Sequence, residues 1–315
     1  MKIAIIRLSA MGDIFHMLWH INCIRAAYPK ARIDFFVDSR FYFLLDGLVW
    51  FDNIYSLPLK KSPLKALRQI KNLKKTYDIS IDYQGRIKSG FLANYLSANS
   101  YGYSKNGLRE KLAYYFYKNH CNCDYLENVY KRSLELTRFA LKEFKNDELV
   151  TSDVLIYDEI KTQNIMNKIK PLIEDEFILL HNGSSKINKM LPLEKLIDIC
   201  KNCDYKILLS WGSQIELDRA NEIAKECKNA KVLPKISLNE LVFLSKLAKL
   251  IIGNDSGTTH IAVVLNRPNI TFLNECDKKP AKRLISPSNL QHYFYKFSDV
   301  NKEKVLDIIN KVFSK

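Results

Sequence analysis

What most constrains this chain is a motif of architecture that keeps recurring. A short apolar run stops at a cluster of Gly, Ser, Asn or Asp, and apolar residues at helical spacing follow. Lys2-Ile3-Ala4-Ile5-Ile6-Arg7 is the first run. Ser9-Ala10-Met11-Gly12-Asp13 breaks it, and Ile14, Met17, Leu18, Ile21 and Ile24 then recur at spacings of three and four. Ala31 to Val37 and Ile79 to Asp82 are further strand candidates, the latter ending at Gln84-Gly85. Phe177 to His181 leads into Asn182-Gly183-Ser184-Ser185, and Pro192-Leu193-Glu194 suits a first helical turn. Tyr205 to Leu209 ends at Trp211-Gly212-Ser213. Helix 215–227, strand 231–233, helix 237–248, strand 249–252, strand 269–273 and a last helix at 301–312 complete the series. Strand, loop and helix in repetition predict α/β folding with parallel sheets covered by helices.

At 315 residues, and roughly 100–200 residues per domain, two doubly wound domains are expected, facing each other across a cleft. The polar stretch 151–175 is the expected hinge. That places a first domain at 1–160, a second at 171–300, and a closing helix at 301–315 that could pack back on the first. In such sheets ligands bind outside the carboxyl ends of the strands, where the loops above lie. No apolar stretch approaches the roughly 18 residues of a spanning helix and no signal-peptide pattern is evident, so a cytoplasmic protein is expected. The seven cysteines include Cys121-x-Cys123 and Cys200-x-x-Cys203, without the second matching pair that zinc sites use. Neither a metal nor a cofactor is expected.

Charge narrows the partner. The net charge is +15, and residues 1–150 hold 24 Lys and Arg against 14 Asp and Glu. Lys60, Lys61, Lys65, Arg68, Lys71, Lys74 and Lys75 fall in a stretch, 60 to 75, that contains no acid. Leu64, Leu67, Ile70 and Leu73 recur there every three residues, which predicts a helix with its apolar side on the sheet. Its cationic side suits phosphates or an anionic bilayer surface. No helix-turn-helix or RNA-binding aromatic signature accompanies it, so nucleic acid is not the expected partner. There is no G-x-G-x-x-G after the first strand and no Walker lysine motif, which argues against a nicotinamide dehydrogenase and a P-loop NTPase.

Several residues carry candidate chemistry, each beside a plainer role. Asp13 follows the first strand, where a carboxylate can take a proton from a substrate hydroxyl or cap its helix. His16 stands three residues on, either on the same helix face or as a structural neighbour. In the second half, Lys186 and Lys189 could neutralise a diphosphate or be solvated loop lysines. Glu216, four residues after Gly212, could bridge a ribose diol or favour its helix N-terminus. Gly253-Asn254-Asp255-Ser256-Gly257-Thr258-Thr259-His260 reads as a turn into a helix, either an ordinary capped start or an anion site.

Taken together, these stretches resemble glycosyltransferase family 9, the bacterial lipopolysaccharide heptosyltransferases. The anchors are Ser9-Ala10-Met11-Gly12-Asp13 with His16, Asp82-Tyr83-Gln84-Gly85-Arg86-Ile87-Lys88-Ser89, Trp211-Gly212-Ser213 with Glu216, and Asn254 to His260 with the tail Asn266-Arg267-Pro268-Asn269-Ile270-Thr271. The resemblance implies a GT-B architecture of two Rossmann-like domains and an inverting, metal-independent transfer. The donor it implies is ADP-heptose. The implied acceptor is the Kdo of Kdo–lipid A at the cytoplasmic face of the inner membrane, or, for another family member, a heptosylated acceptor. By motif match Asp13 is the implied general base. Lys189 or Lys186, Ser184, Ser185, Glu216, Asp255, Ser256, Gly257, Thr258 and His260 are implied on the donor. Ser9, His16, Lys60, Lys61, Gln84, Lys88 and Arg109 are implied on the acceptor. Leu191 stands where the family carries Trp. A non-catalytic nucleotide-sugar or anionic-lipid binding protein is the alternative from another class.

Overall fold

The computed structural model describes residues 1–142, 144, 155–173, 175–184, 186–274 and 290–314. The chain divides into two compact units, Met1–Asp158 and Glu159–Lys315. Each is a six-stranded parallel sheet covered by helices, so the expected α/β class is the observed one.

In the first unit the strands are β1 (Lys2–Ile6), β2 (Arg32–Asp38), β3 (Asn53–Leu57), β4 (Ile79–Asp82), β5 (Ser100–Tyr103) and β6 (Asn119–Cys121). Their order is β3-β2-β1-β4-β5-β6. β1 lies between β2 and β4, and Ile3, Ala4, Ile5 and Ile6 are wholly buried. β3, β5 and β6 have no apolar run of their own. Their polar and aromatic residues are tolerated because they lie toward the sheet margins, and the sequence pattern does not reveal them. Helix α1 (Met11–Ala27) buries every residue from Ile14 to Ile24, where its spacing predicts one buried face. It is enclosed on its outer side by α4 (Val129–Ala140), whose Tyr130 packs 4.9 Å from Trp19 between ring centroids. A helix buried all round needs apolar residues on every side.

The basic stretch also differs from its pattern. Helix α2 spans Pro63–Ile70, and a 3-10 turn, Lys71–Leu73, follows. Ala66 and Ile70 are buried, but Leu64 is 71% exposed and Leu67 49%. Residues three apart drift about 60° around a helix at each step, so four of them cannot share one buried face; residues four apart, such as 66 and 70, nearly do. Helix α3 (Ile87–Leu96) covers β4.

The second unit holds β7 (Phe177–His181), β8 (Lys206–Ser210), β9 (Ala230–Val232), β10 (Leu250–Asn254), β11 (Asn269–Phe272) and β12 (Gln291–Phe294), ordered β12-β11-β10-β7-β8-β9. The stretch expected as a hinge contains α5 (Glu159–Ile169), whose Ile165 and Ile169 are buried as it packs on α8 (Leu238–Leu247). Helices α6 (Leu193–Lys201), α7 (Gln214–Glu226) and α9 (Thr259–Val264) follow β7, β8 and β10. The last helix, α10 (Lys302–Phe313), packs on α6 and places Val305 and Ile309 in the core of this unit. Its apolar side packs within the second unit. The six described cysteines are buried thiols; Cys276 lies outside the described residues. No helix among the described residues is long and apolar enough to cross a membrane.

Candidate active site

A parallel sheet opens a crevice where its strand order reverses. In the first unit that point lies between β1 and β4, and the two loops leaving it are joined. The Leu8 amide donates to Gln84 Oε1 at 2.7 Å, Gln84 Nε2 donates to Ser9 Oγ at 3.1 Å, and Arg7 Nη1 donates to the Tyr83 carbonyl. Gly85, at φ +69°, turns the second loop. Ser9 and Gln84, expected on the acceptor, thus use these hydrogen bonds to shape the loop beside Asp13.

Asp13 sits in the first turn of α1 and does two things at once. Its Oδ2 accepts the Ala10 amide at 3.4 Å, as a helix cap does, and pairs with Arg7 Nη2 at 2.6 Å. The side chain keeps 37% of its surface exposed. Its crowded surroundings are the largest influence and push the carboxyl up. The charges of Arg7 and His16, with hydrogen bonds from Arg7 and Ala10, outweigh that and hold it below the usual carboxylate value. Asp13 is therefore ionised at neutral pH. Arg7 was not among the expected site residues; its only sequence signal is a cation closing an otherwise apolar strand.

His16 differs from its expected place as an acceptor contact. It is 1% exposed, and its Nδ1 shares a hydrogen bond with the Tyr130 hydroxyl on α4. Its influence on the crevice is electrostatic, through Asp13. Lys60 and Lys61 follow β3, Lys88 lies in the first turn of α3 and Arg109 follows β5. All four are exposed, and all leave the same end of the sheet as Asp13.

In the second unit the order reverses between β10 and β7. Here Gly253 and Asn254 belong to β10 and not to the turn. Gly253 is required, because a Cβ would stand 2.6 Å from Thr259 Oγ1. Asn254, read from sequence only as part of the turn, ties three segments together. Its Nδ2 donates to the carbonyls of Asn182 (3.1 Å) and Gly183 (3.4 Å), and its Oδ1 accepts the Leu191 amide at 2.8 Å. Leu191 is fully buried.

Asp255 is the hub of the turn. Its Oδ2 pairs with Lys189 Nζ at 2.7 Å and its Oδ1 faces His260 Nε2 at 3.5 Å. Its carbonyl accepts Ser184 Oγ at 3.1 Å. Burial is the largest influence on the carboxyl and raises it, but His260 and then Lys189 prevail and hold it well below the usual value. Ser256 Oγ lies 2.8 Å from Thr258 Oγ1 and 3.2 Å from Thr259 Oγ1, and Gly257 completes the turn. Of the two candidate lysines, the fold brings Lys189 to Asp255 and leaves Lys186 exposed. Ser185 lies outside the described residues.

Glu216 performs the plainer of its two roles. Its Oε2 accepts the amides of Gly212 (2.6 Å) and Ser213 (3.2 Å), while Ser213 Oγ accepts the Glu216 amide at 3.4 Å, a capping box. Its carboxyl also fills the space a side chain at Gly183 would need. The cap thereby joins the loops after β7 and β8.

The sequence matches the model of glycosyltransferase family 9 (heptosyltransferase) over residues 66–292. It is 36% identical, across 99% of both chains, to lipopolysaccharide heptosyltransferase 1 of Campylobacter coli. The chain belongs to glycosyltransferase family 9. To lipopolysaccharide heptosyltransferase 1 of Escherichia coli K12 this family-9 chain is 27% identical over 88% of its own length and 89% of the relative's. Its fold is similar to that of E. coli heptosyltransferase WaaC with ADP-2-deoxy-2-fluoro heptose (TM-score 0.78, 24% identity, 99% of both chains). It is nearly as similar to E. coli ADP-heptose lps heptosyltransferase II (TM-score 0.76, 20% identity, 100% of this chain and 99% of that one). The shared fold is the GT-B arrangement of two Rossmann-like units, and fold alone does not separate these two enzymes.

Proposed function

We propose that this family-9 glycosyltransferase moves L-glycero-D-manno-heptose from ADP-heptose to the Kdo of Kdo–lipid A, with inversion at the anomeric carbon. The observation that carries the chemical part is the state of Asp13: an ionised carboxylate, partly exposed, at the strand-order reversal of the first unit. The donor assignment draws on the relative that was solved with an ADP-heptose analogue. The choice of acceptor draws on the full-length likeness to the Campylobacter coli enzyme.

In this reading residues 1–158 hold the acceptor and 159–315 the donor. Asp13 accepts the proton of a Kdo hydroxyl as its oxygen attacks the anomeric carbon from the side opposite the diphosphate. The C–O bond to the diphosphate breaks and ADP leaves with the electron pair. A paired, low-pKa carboxylate is a weak base, so proton transfer belongs in the transition state, once the attacking hydroxyl has become acidic. Arg7 keeps Asp13 deprotonated and aimed. Charge growing on ADP is met by Lys189, by His260 and by the first amides of the turn at Ser256, Gly257 and Thr258, which supply what a divalent cation would otherwise provide. Asp255 orients Lys189 and His260; it is not itself a phosphate ligand, because like charges repel. The ribose falls to Glu216 Oε1. Lys60, Lys61, Lys88 and Arg109 meet acceptor carboxylates and phosphates, and the enzyme works as a peripheral protein at the cytoplasmic face of the inner membrane.

The test is transfer from ADP-heptose to Kdo–lipid A and, separately, to heptosyl-Kdo–lipid A. Product on the first acceptor alone supports the proposal. Product on the second alone makes this the later transferase, and product on neither overturns the heptosyl assignment. Tighter binding of UDP than of ADP, measured by calorimetry, overturns the donor.

A further inference from the structure

We propose that α2 is a membrane-docking element that lies in the headgroup plane of an anionic bilayer and inserts Leu64 and Leu67. This deepens the proposed function, since it rests on the acceptor being a lipid. Three observations carry it. First, α2 is held to its unit by Ala66 and Ile70, and at about 100° per residue Leu64 and Arg68 point to the opposite side, with Leu67 and Lys65 flanking them. Large apolar side chains at 71% and 49% exposure, interleaved with cations, are what an interfacial helix presents, leucines toward the acyl boundary and lysines reaching back to phosphates.

Second, the surface commits to one charge. No acid interrupts residues 60 to 75, which suits an anionic bilayer and disfavours a second copy of this strongly basic chain.

Third, the position is useful. β3 and β5 lie on either side of the β1–β4 crevice. α2 follows β3, and exposed Leu112 (63%), just after Arg109 and Lys111, follows β5. The Ile87 amide donates to Glu110 Oε2 at 3.0 Å, which keeps this second segment beside the start of α3, at the same end of the sheet. A bilayer touching both patches faces the loops that carry Asp13, so an acceptor anchored in that bilayer is presented to the base without leaving its membrane.

The experiment is co-sedimentation of the full chain with vesicles of phosphatidylglycerol and phosphatidylethanolamine, against phosphatidylcholine alone. Beside it, transfer is measured to a deacylated, soluble Kdo acceptor. The wild type is expected to bind the anionic vesicles and not the neutral ones. Leu64→Ser with Leu67→Ser is expected to weaken that binding by about a hundredfold or more, as for two leucines withdrawn from an apolar phase. Lys65→Glu with Arg68→Glu is expected to weaken it on the order of a hundredfold at low salt. Both double variants keep their thermal midpoint and their transfer to the soluble acceptor. No wild-type binding to anionic vesicles overturns the proposal. So does leucine-variant binding within twofold of wild type, or a leucine variant that loses a dimer and not vesicle affinity. Vesicle binding that behaves as expected in a protein that transfers no heptose leaves the docking element standing and removes the proposed function instead.

Discussion

Lys189 Nζ stands 2.7 Å from one carboxylate oxygen of Asp255, and His260 Nε2 stands 3.5 Å from the other. A single anion at the end of β10 thus holds two side chains that arrive from opposite directions in the sequence. An acidic residue inside the proposed diphosphate site looks misplaced until this pairing is seen. Its use is to hold Lys189 and His260 in place, while the Asp255 main-chain carbonyl accepts Ser184 Oγ; under the proposed function a diphosphate entering the turn competes with the carboxylate for both side chains.

Asp255→Ala is accordingly expected to release both Lys189 and His260. Donor kcat/KM should fall by about ten- to a hundredfold, the scale of losing a charge-assisted contact in a partly enclosed site. ADP affinity by calorimetry and steady-state rates together check it. A drop in thermal stability with ADP affinity unchanged would show a purely structural role.

Asp13→Ala is expected to bind ADP as the wild type does and to lose transfer by roughly a hundredfold or more, the usual contribution of a positioned general base. Single-turnover transfer is the measurement.

Arg7→Gln removes the partner that holds the Asp13 carboxyl low. The crowding that pushes it up remains, so its pKa should rise, and the acid limb of the rate–pH profile should move upward with it. In the wild type that limb lies below the ordinary carboxylate range. A profile that does not move would sever Arg7 from the chemistry.

Glu216→Ala removes the acceptor of two loop amides, at a cost of about 1 kcal/mol in unfolding free energy. If its second oxygen also meets the ribose, the variant loses affinity for ADP and not for 2′-deoxy-ADP. Equal affinities for the two nucleotides in both proteins would leave Glu216 a cap alone. Gly183→Ala should disturb the same cap, because its new methyl runs into the Glu216 carboxyl.

His20 and His181 give each unit the same acid sensitivity. Burial lowers both imidazoles from 6.5 to about 4, so both are neutral in the folded protein at pH 7. The unfolded chain binds the extra proton first, so their contribution is present above pH 6.5 and is lost as pH falls from there toward about 4. Each contributes a slope of up to about 1.4 kcal/mol per pH unit. Asp13 and Asp255, with pKa values lowered on folding, lose their contributions only further down, below the unfolded carboxylate value of 3.8. Chemical denaturation between pH 7 and 4.5 should show the histidine slope, and His20→Gln should flatten it.

Sequence alone determined the two-sheet α/β plan, because a strand buried on both faces of a parallel sheet is largely apolar and β1, β7, β8 and β10 announce themselves that way. It also set apart the loops that end those strands. It did not reveal β3, β5, β6 or β12, whose place at or near a sheet margin removes the need for an apolar run. It misplaced the buried side of α2, since a period of three mimics amphipathicity for only a turn or two. Only the tertiary structure decided which groups meet. Arg7 on Asp13, Tyr130 on His16, Asn254 across three segments and Lys189 on Asp255 are pairings over distances in sequence that no local pattern encodes. They exist because parallel strands bring their carboxyl ends to one edge. There, side chains have lost enough water that each charge must find its partner, and the partners found reset the acidity on which the proposed chemistry depends.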